Sequence, residues 1–293
     1  MTRILLRGAH VVTMAPNRPD TEHIDILIED DRIAKMGDRL DATGADVVDL
    51  TDRIIIPGLV NAHLHTWQTA LRFAGADWSL LEYLAHTHGH VARRYRPEDM
   101  YIGTLAGALN QINCGTTTLG DWCHNCLTPA HTDAGIDALT AAGIRAVFLQ
   151  GTPHGGPTKP HDVREVDRLL DGPIARSALL TLGMAIKGPQ LSTPDVAIAD
   201  LRAARERGVI ASMHQSVGAP AKGWTAVGAA GLWGPHANIV HGTGLTDDWV
   251  KRLADTGATF TSTPENELGQ GHCTSITEQL LRANAAPSLG TDT

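Results

Sequence analysis

No stretch of this 293-residue sequence approaches the ~18 consecutive apolar residues that a membrane helix requires, so no spanning helix is expected. An excess of basic charge is missing too. The formal net charge is −8, which argues against a phosphate-tracking surface and against nucleic acid as a partner. Cysteine is sparse: Cys114, Cys123, Cys126 and Cys273 are too few and too irregularly spaced for a disulfide framework. The opening MTRILLRGAHVV carries Arg3 and Arg7 but neither a sustained apolar run nor a small-residue cleavage site, so no export signal is expected. Together these absences point to a reduced, cytoplasmic protein.

What is present is a chain with 42% hydrophobic residues, enough to bury a large core, and 15 histidines. Histidine is the commonest metal ligand and the usual proton carrier near neutral pH, so the placement of these residues matters. Residues 1–55 read as short strands joined by turns. ILLRGAHVVTM, HIDILIEDDRIAKMG and ADVVDL are rich in β-branched residues, and the whole is expected to form a small β-sandwich portion. From residue 56 to 293 the rhythm changes to buried strands alternating with helices. The strand candidates are IIIPGLVNAHLH, GTTTLGDW, IRAVFLQG, ALLTLGMAIKG, VIASMHQ, NIVHGTG, ATFTSTP and PSLGTDT. Helical candidates between them are PEDMYIGTLAGALNQIN, TPAHTDAGIDALTAAG, TPDVAIADLRAARERG, TDDWVKRLADTG and TSITEQLLRANA. Several open with a Ser/Thr-Pro or Thr-Asp pair and close at glycine; in the third, Thr193 is expected to cap, Pro194 to take the first turn and Gly208 to end it.

Eight such repeats on one core make an α/β fold, a (β/α)8 TIM-type barrel preceded by the small N-terminal β unit. A doubly wound open sheet is the alternative, but no GxGxxG turn follows the first strand. The sequence stops at Thr293, directly after the eighth strand. The barrel is therefore expected to be truncated there, and less stable than an extended chain because apolar strand faces would stay uncovered.

Barrel active sites lie at the C-terminal ends of the strands. The first strand closes with His63 and His65, two residues apart and so on the same side. The fifth closes with His214, the sixth with His241 and the eighth with Asp292. One such histidine is more often a packed rim residue; five nitrogen and oxygen donors at one end of the right strands suit zinc or iron with room for a water.

At these residues the chain resembles the amidohydrolase superfamily, in particular the aminohydrolase branch holding cytosine, guanine and methylthioadenosine deaminases and triazine hydrolases. The resemblance rests on PGLVNAHLHTWQTALR at 57–72, MHQS at 213–216, VHGTGL at 240–245, TPENELGQGH at 263–272 and SLGTDT at 288–293, and it covers essentially the whole chain. It implies one divalent metal, zinc with iron or manganese as alternatives, held by His63, His65, His214 and Asp292. His241 would touch the activated water or the substrate, and Asp292 would take the proton from that water. The implied reaction is hydrolysis of a carbon–nitrogen bond other than a peptide bond, deamination of a nitrogen heterocycle, on a small-molecule substrate; a homo-oligomer stays open. Loss of chloride or an alkylamine is the near alternative, and a catalytically dead ligand-binding fragment the distant one.

The sequence departs from that branch at one informative place. Many of its deaminases carry a glutamate three residues after the strand-five histidine, which protonates the ring nitrogen; here that position is Val217. Glu265, Glu267 and His272 are the candidate replacements. Trp67 and Gln68, just beyond the HxH pair, are expected to line the substrate pocket. His86, His88 and His90 read as solvent-facing or loop-packing, Cys123-His124-Asn125-Cys126 as a loop near the site mouth, and Lys187 as a rim or barrel-wall residue.

Overall fold

The computed structural model describes residues 2–151, 153–154 and 158–293. The chain divides into two compact units, Met1–Gly58 and Leu59–Thr293. In the first, strands β1 (Arg3–Val11), β2 (Glu22–Glu29), β3 (Arg32–Gly37) and β4 (Asp46–Asp49) form one sheet in the order β3-β2-β1-β4, and β5 (Ile54–Ile55) also pairs with β1. Alternating apolar residues bury Ala9, Val11 and Ile26 on one face, the period-two pattern of a half-covered sheet.

The second unit is built on eight parallel strands in sequential order: β6 (Leu59–Leu64), β7 (Thr116–Cys123), β8 (Arg145–Gly151), β9 (Leu180–Ala185), β10 (Ile210–Gln215), β11 (Ala237–His241), β12 (Thr259–Ser262) and β13 (Ser288–Leu289). These are the eight runs the sequence marks. A bridge between Leu64 and Asp292 brings the last strand back to the first, with His65 N donating to Asp292 O at 2.8 Å and Asp292 N to His63 O at 3.0 Å. The result is a nearly closed (β/α)8 barrel. Both flanks of β6 need glycine: a Cβ on Gly120 would stand 2.4 Å from Ala62 O, and one on Gly290 would stand 2.7 Å from His63 O. A side chain at either place would push a neighbouring strand off the strand that carries His63 and His65.

The five marked helices are Pro97–Asn113, Pro129–Ala142, Pro194–Glu206, Asp247–Asp255 and Thr277–Arg282. Two more, Val163–Leu169 and Lys222–Ala229, are short, and the latter contains Gly223 and Gly228, which hides it from periodicity. Thr193 occupies the N-cap position with extended backbone, but its side chain makes no capping hydrogen bond; Pro194 at the first turn carries that start instead. Thr246 does cap, accepting from Trp249 N at 3.4 Å.

The large apolar core lies between the helices and the outer strand faces, where Phe148, Leu182, Met213, Ile239 and Leu253 pack together. A smaller cluster of Trp122, Leu149, Ala185 and Val240 fills the barrel interior. Trp122 ties it to the strand ends: its indole donates to Ser212 Oγ at 3.0 Å and its ring sits 4.2 Å from that of His214. The interior is thus a packed floor, and the polar strand ends stand on it.

Candidate functional site

Alternation along β6 turns His63 and His65 to the barrel interior, and the C-terminal ends of β10 and β11 turn His214 and His241 the same way. Their nitrogens converge on Asp292. Oδ1 of Asp292 lies 3.2 Å from His63 Nε2 and 3.1 Å from His65 Nε2, and Oδ2 lies 3.7 Å from His241 Nε2. His63 Nε2 and His214 Nε2 are 3.4 Å apart. All five groups are buried. His241 and Asp292 both adopt positive φ, 66° and 70°, a conformation that costs on the order of 1–3 kcal/mol in a non-glycine residue and here aims each side chain inward.

For His65 and His241, outer partners decide which ring nitrogen carries a proton. Nδ1 of His65 is 2.7 Å from the carbonyl oxygen of Trp122, an atom that only accepts, so Nδ1 donates and Nε2 keeps its lone pair for the centre. Nδ1 of His241 faces Thr263 Oγ1 at 3.0 Å and Glu267 Oε1 at 3.5 Å, which fixes the same tautomer. Burial lowers His63 to about 4 and holds His214 well below its ordinary value, so both rings are neutral at pH 7. Burial works to raise the Asp292 carboxyl, but the His63 and His65 imidazoles set against it outweigh burial and hold the group well below the usual carboxylate range, so it stays ionised. Lone pairs and a carboxylate that face one another this closely call for a cation between them. The donor set, His nitrogens plus one carboxylate oxygen, fits a divalent ion of the zinc type.

The centre opens into a cavity of about 470 Å³. His272 lines it, with burial lowering its imidazole to about 4. Val217 lines it as well, and among the described residues Asp292 is the only carboxylate in the wall. Four residues expected at the substrate stand elsewhere. Trp67 and Gln68 lie one layer behind the wall: Trp67 donates its indole N–H to His124, and Gln68 donates to the Tyr83 hydroxyl at 2.6 Å. Glu265 is not among the lining residues. Glu267 is fully buried, accepting from Thr263 N at 2.7 Å and from Ser262 Oγ, so it holds the His241 ring and does not meet the cavity. The reason is local. Glu265 and Glu267 sit on a single helical turn, Pro264–Gly269, whose buried side faces β12.

Other residues complete the wall, His88 against expectation and His124 and Lys187 in keeping with their expected places at the site mouth and rim. His88 is buried there, while His86 and His90 are exposed; the segment Leu84–Val91 is a wide π-type helical turn that rotates His88 alone inward. His124, in the loop after β7, and His154 join it. Burial lowers His88 to about 2 and His154 to about 4. Lys187 also lines the wall. Asp121 on β7 is a further buried carboxyl, raised to about 6 by burial while it accepts from Thr66 N.

The comparisons agree with this geometry. The sequence profile of the amidohydrolase family matches residues 54–269. The 5-methylthioadenosine/S-adenosylhomocysteine deaminase of Symbiobacterium thermophilum is 28% identical over an alignment spanning 100% of this chain and 70% of that protein. A 5'-deoxyadenosine deaminase of Methanosarcina barkeri is 30% identical over 52% of this chain and 34% of its own length. Among solved structures, a zinc-bound adenosine deaminase from Xanthomonas campestris superposes with a TM-score of 0.80 at 21% identity, covering 100% of this chain and 69% of that one. A guanine deaminase from C. acetobutylicum with bound guanine gives a TM-score of 0.80 at 15% identity, covering 99% and 74%. With the profile matched over most of the barrel and its strand-end donors gathered at one point, this chain belongs to the amidohydrolase family.

Proposed function

We propose that this metal-dependent hydrolase holds one zinc ion with His63, His65, His214 and Asp292 and deaminates a nitrogen heterocycle of the nucleobase or nucleoside kind. The observation that carries the reading is the set of imidazole Nε2 atoms converging on Asp292, with His65 and His241 each held in its tautomer by a partner on the far side. A cation held there would lower the pKa of a water towards neutrality. Asp292, ionised and exposed only to the cavity side, accepts the proton that the attacking water gives up and returns it to the departing amine. His241 stands 3.7 Å from the second Asp292 oxygen and orients the attacked group, with Glu267 behind it keeping the ring in place.

The substrate is a small molecule: the cavity suits one, and the charge of −8 disfavours nucleic acid. All four cysteines are unpaired, which fits the reducing cytoplasm. No helix among the described residues is long and apolar enough to cross a membrane. A second reading, release of chloride or an alkylamine, is favoured by Val217 at the position where ring-protonating deaminases carry an acid. One assay separates the two. Zinc-loaded chain is offered aminopurines, aminopyrimidines, aminotriazines and chlorotriazines, and ammonia, chloride and alkylamine are measured. Ammonia supports deamination, chloride or alkylamine the second reading. A chain that binds no zinc and turns over none of the panel refutes both.

A further inference from the structure

His88, His124 and His154 bring one nitrogen each within 4.8 Å of one another on the cavity wall. A second metal is the first reading such a cluster invites, and the hydrogen bonds around His124 argue against it. The Trp67 indole N–H points at His124 Nδ1 across 3.2 Å. An indole nitrogen can only donate, so Nδ1 must hold the lone pair and the proton of the neutral ring sits on Nε2. A cation at Nε2 would require that proton to leave, and a cation at Nδ1 would have to displace the indole. The rings of His65 and His241 are set the opposite way, with lone pairs on Nε2.

His124 lines the cavity and Trp67 does not, so the nitrogen left to face the cavity is Nε2. No hydrogen bond among the described residues uses it. The ring lies flat on His65, with centroids 4.0 Å apart and planes at 12°, directly beside the Asp292 centre. In the same wall, Val217 leaves the position of the ring-protonating acid apolar.

We propose that His124, its tautomer fixed by Trp67, is the hydrogen-bond donor that grips an acceptor atom of the heterocycle, a ring nitrogen or ring carbonyl oxygen, beside the carbon under attack. The inference rests on the heterocycle reading above. A neutral imidazole can polarise an acceptor in this way without transferring its proton, so the role needs no acid at position 217. The cavity-facing N–H selects rings with a lone pair at that point and disfavours rings with a C–H there, because a buried donor left unpaired is costly.

Two measurements test this. Long-range proton–nitrogen correlation spectra of histidine-labelled, zinc-loaded protein report each ring's tautomer, with His124 assigned by its loss in His124→Gln. The expected result is a bare Nδ1 and a protonated Nε2, turning into a tautomer mixture in Trp67→Phe; a protonated Nδ1 in the wild type overturns the proposal. A second equivalent of zinc should leave these signals unmoved. If it shifts His88, His124 and His154 together, the cluster is a metal site and the proposal fails.

Calorimetry with hypoxanthine, inosine, uracil and hydroxytriazine then reads the grip itself. His124→Leu should weaken binding about tenfold, the effect of one hydrogen bond, with His124→Gln restoring most of it and zinc content unchanged throughout. Wild-type affinity in His124→Leu overturns this role and leaves the proposed function standing. If none of these rings binds the wild-type chain, the heterocycle reading falls and the donor role falls with it.

Discussion

Two groups of imidazoles share one cavity, and they differ in which nitrogen carries the proton. Around Asp292, the carbonyl of Trp122 and the carboxylate of Glu267 draw the proton to Nδ1 and leave Nε2 bare towards the centre. At His124, the indole of Trp67 does the reverse. The same side chain therefore becomes an electron-pair donor in one place and a proton donor a few ångströms away. Neither ring decides this. The choice belongs to a partner behind it that can only accept or only donate.

The sharpest way to break this comparison is to remove the carboxylate on which the first group converges. Asp292→Asn keeps the shape and one oxygen but loses the basicity. Turnover is expected to fall by on the order of 10²–10⁴ while part of the zinc remains. Steady-state rates with metal analysis check it, and an Asn variant within a factor of a few of wild type would sink the assignment. Glu267→Gln is the next largest test. It leaves a neutral amide beside His241, weakening the charged acceptor that favours a protonated Nδ1, so activity or zinc affinity should drop about 10–100-fold. An unchanged Glu267→Gln enzyme would show that the backing partner is dispensable and weaken the comparison at its root.

The smallest effect concerns acid stability, and it sharpens the contrast between buried rings and buried carboxyls. Burial lowers His63, His154, His161 and His272 to about 4 and His88 to about 2. The unfolded chain binds protons at these rings near 6.5, so their contribution is complete above that pH and is lost as pH falls towards 4. Asp121 and Asp200, both raised to about 6 by burial, act in the opposite sense: the fold holds their protons first, so they favour the native state below about 4 and that advantage is lost as pH rises through 6. The rings outnumber the carboxyls, so the urea midpoint of the metal-free chain should fall from pH 7.5 to pH 5. His161, which bonds Gln150 away from the Asp292 centre, isolates the effect. His161→Gln should flatten the slope by about one proton; an unchanged slope would refute the assignment of His161.

Much of this was legible in the sequence because it depends on local periodicity. The eight apolar runs marked the strands, Pro and Thr-Asp starts marked four of the five helices, and strand-end position singled out His63, His65, His214, His241 and Asp292. Other features resisted sequence reading for identifiable reasons. His88, His86 and His90 alternate identically in sequence, and only the wide turn over Leu84–Val91 buries one of them. Trp67 follows the HxH pair so closely that it reads as a pocket residue, but the 3-10 turn Thr66–Leu71 sends its ring behind the wall to His124, 57 residues away. Glu267 reads as an acid for the substrate, and packing against β12 makes it the support of a histidine instead.

The sequence by itself thus determined the barrel, its family and which residue types stand at the strand ends, since hydrophobic period and motif spacing are properties of a short stretch of chain. Only the tertiary structure decided which ring nitrogen is bare and which carries a proton. That choice depends on the atom facing the far side of each ring. For His65 and His124 the atom comes from a residue 57 positions away, brought there by the pairing of β6 with β7.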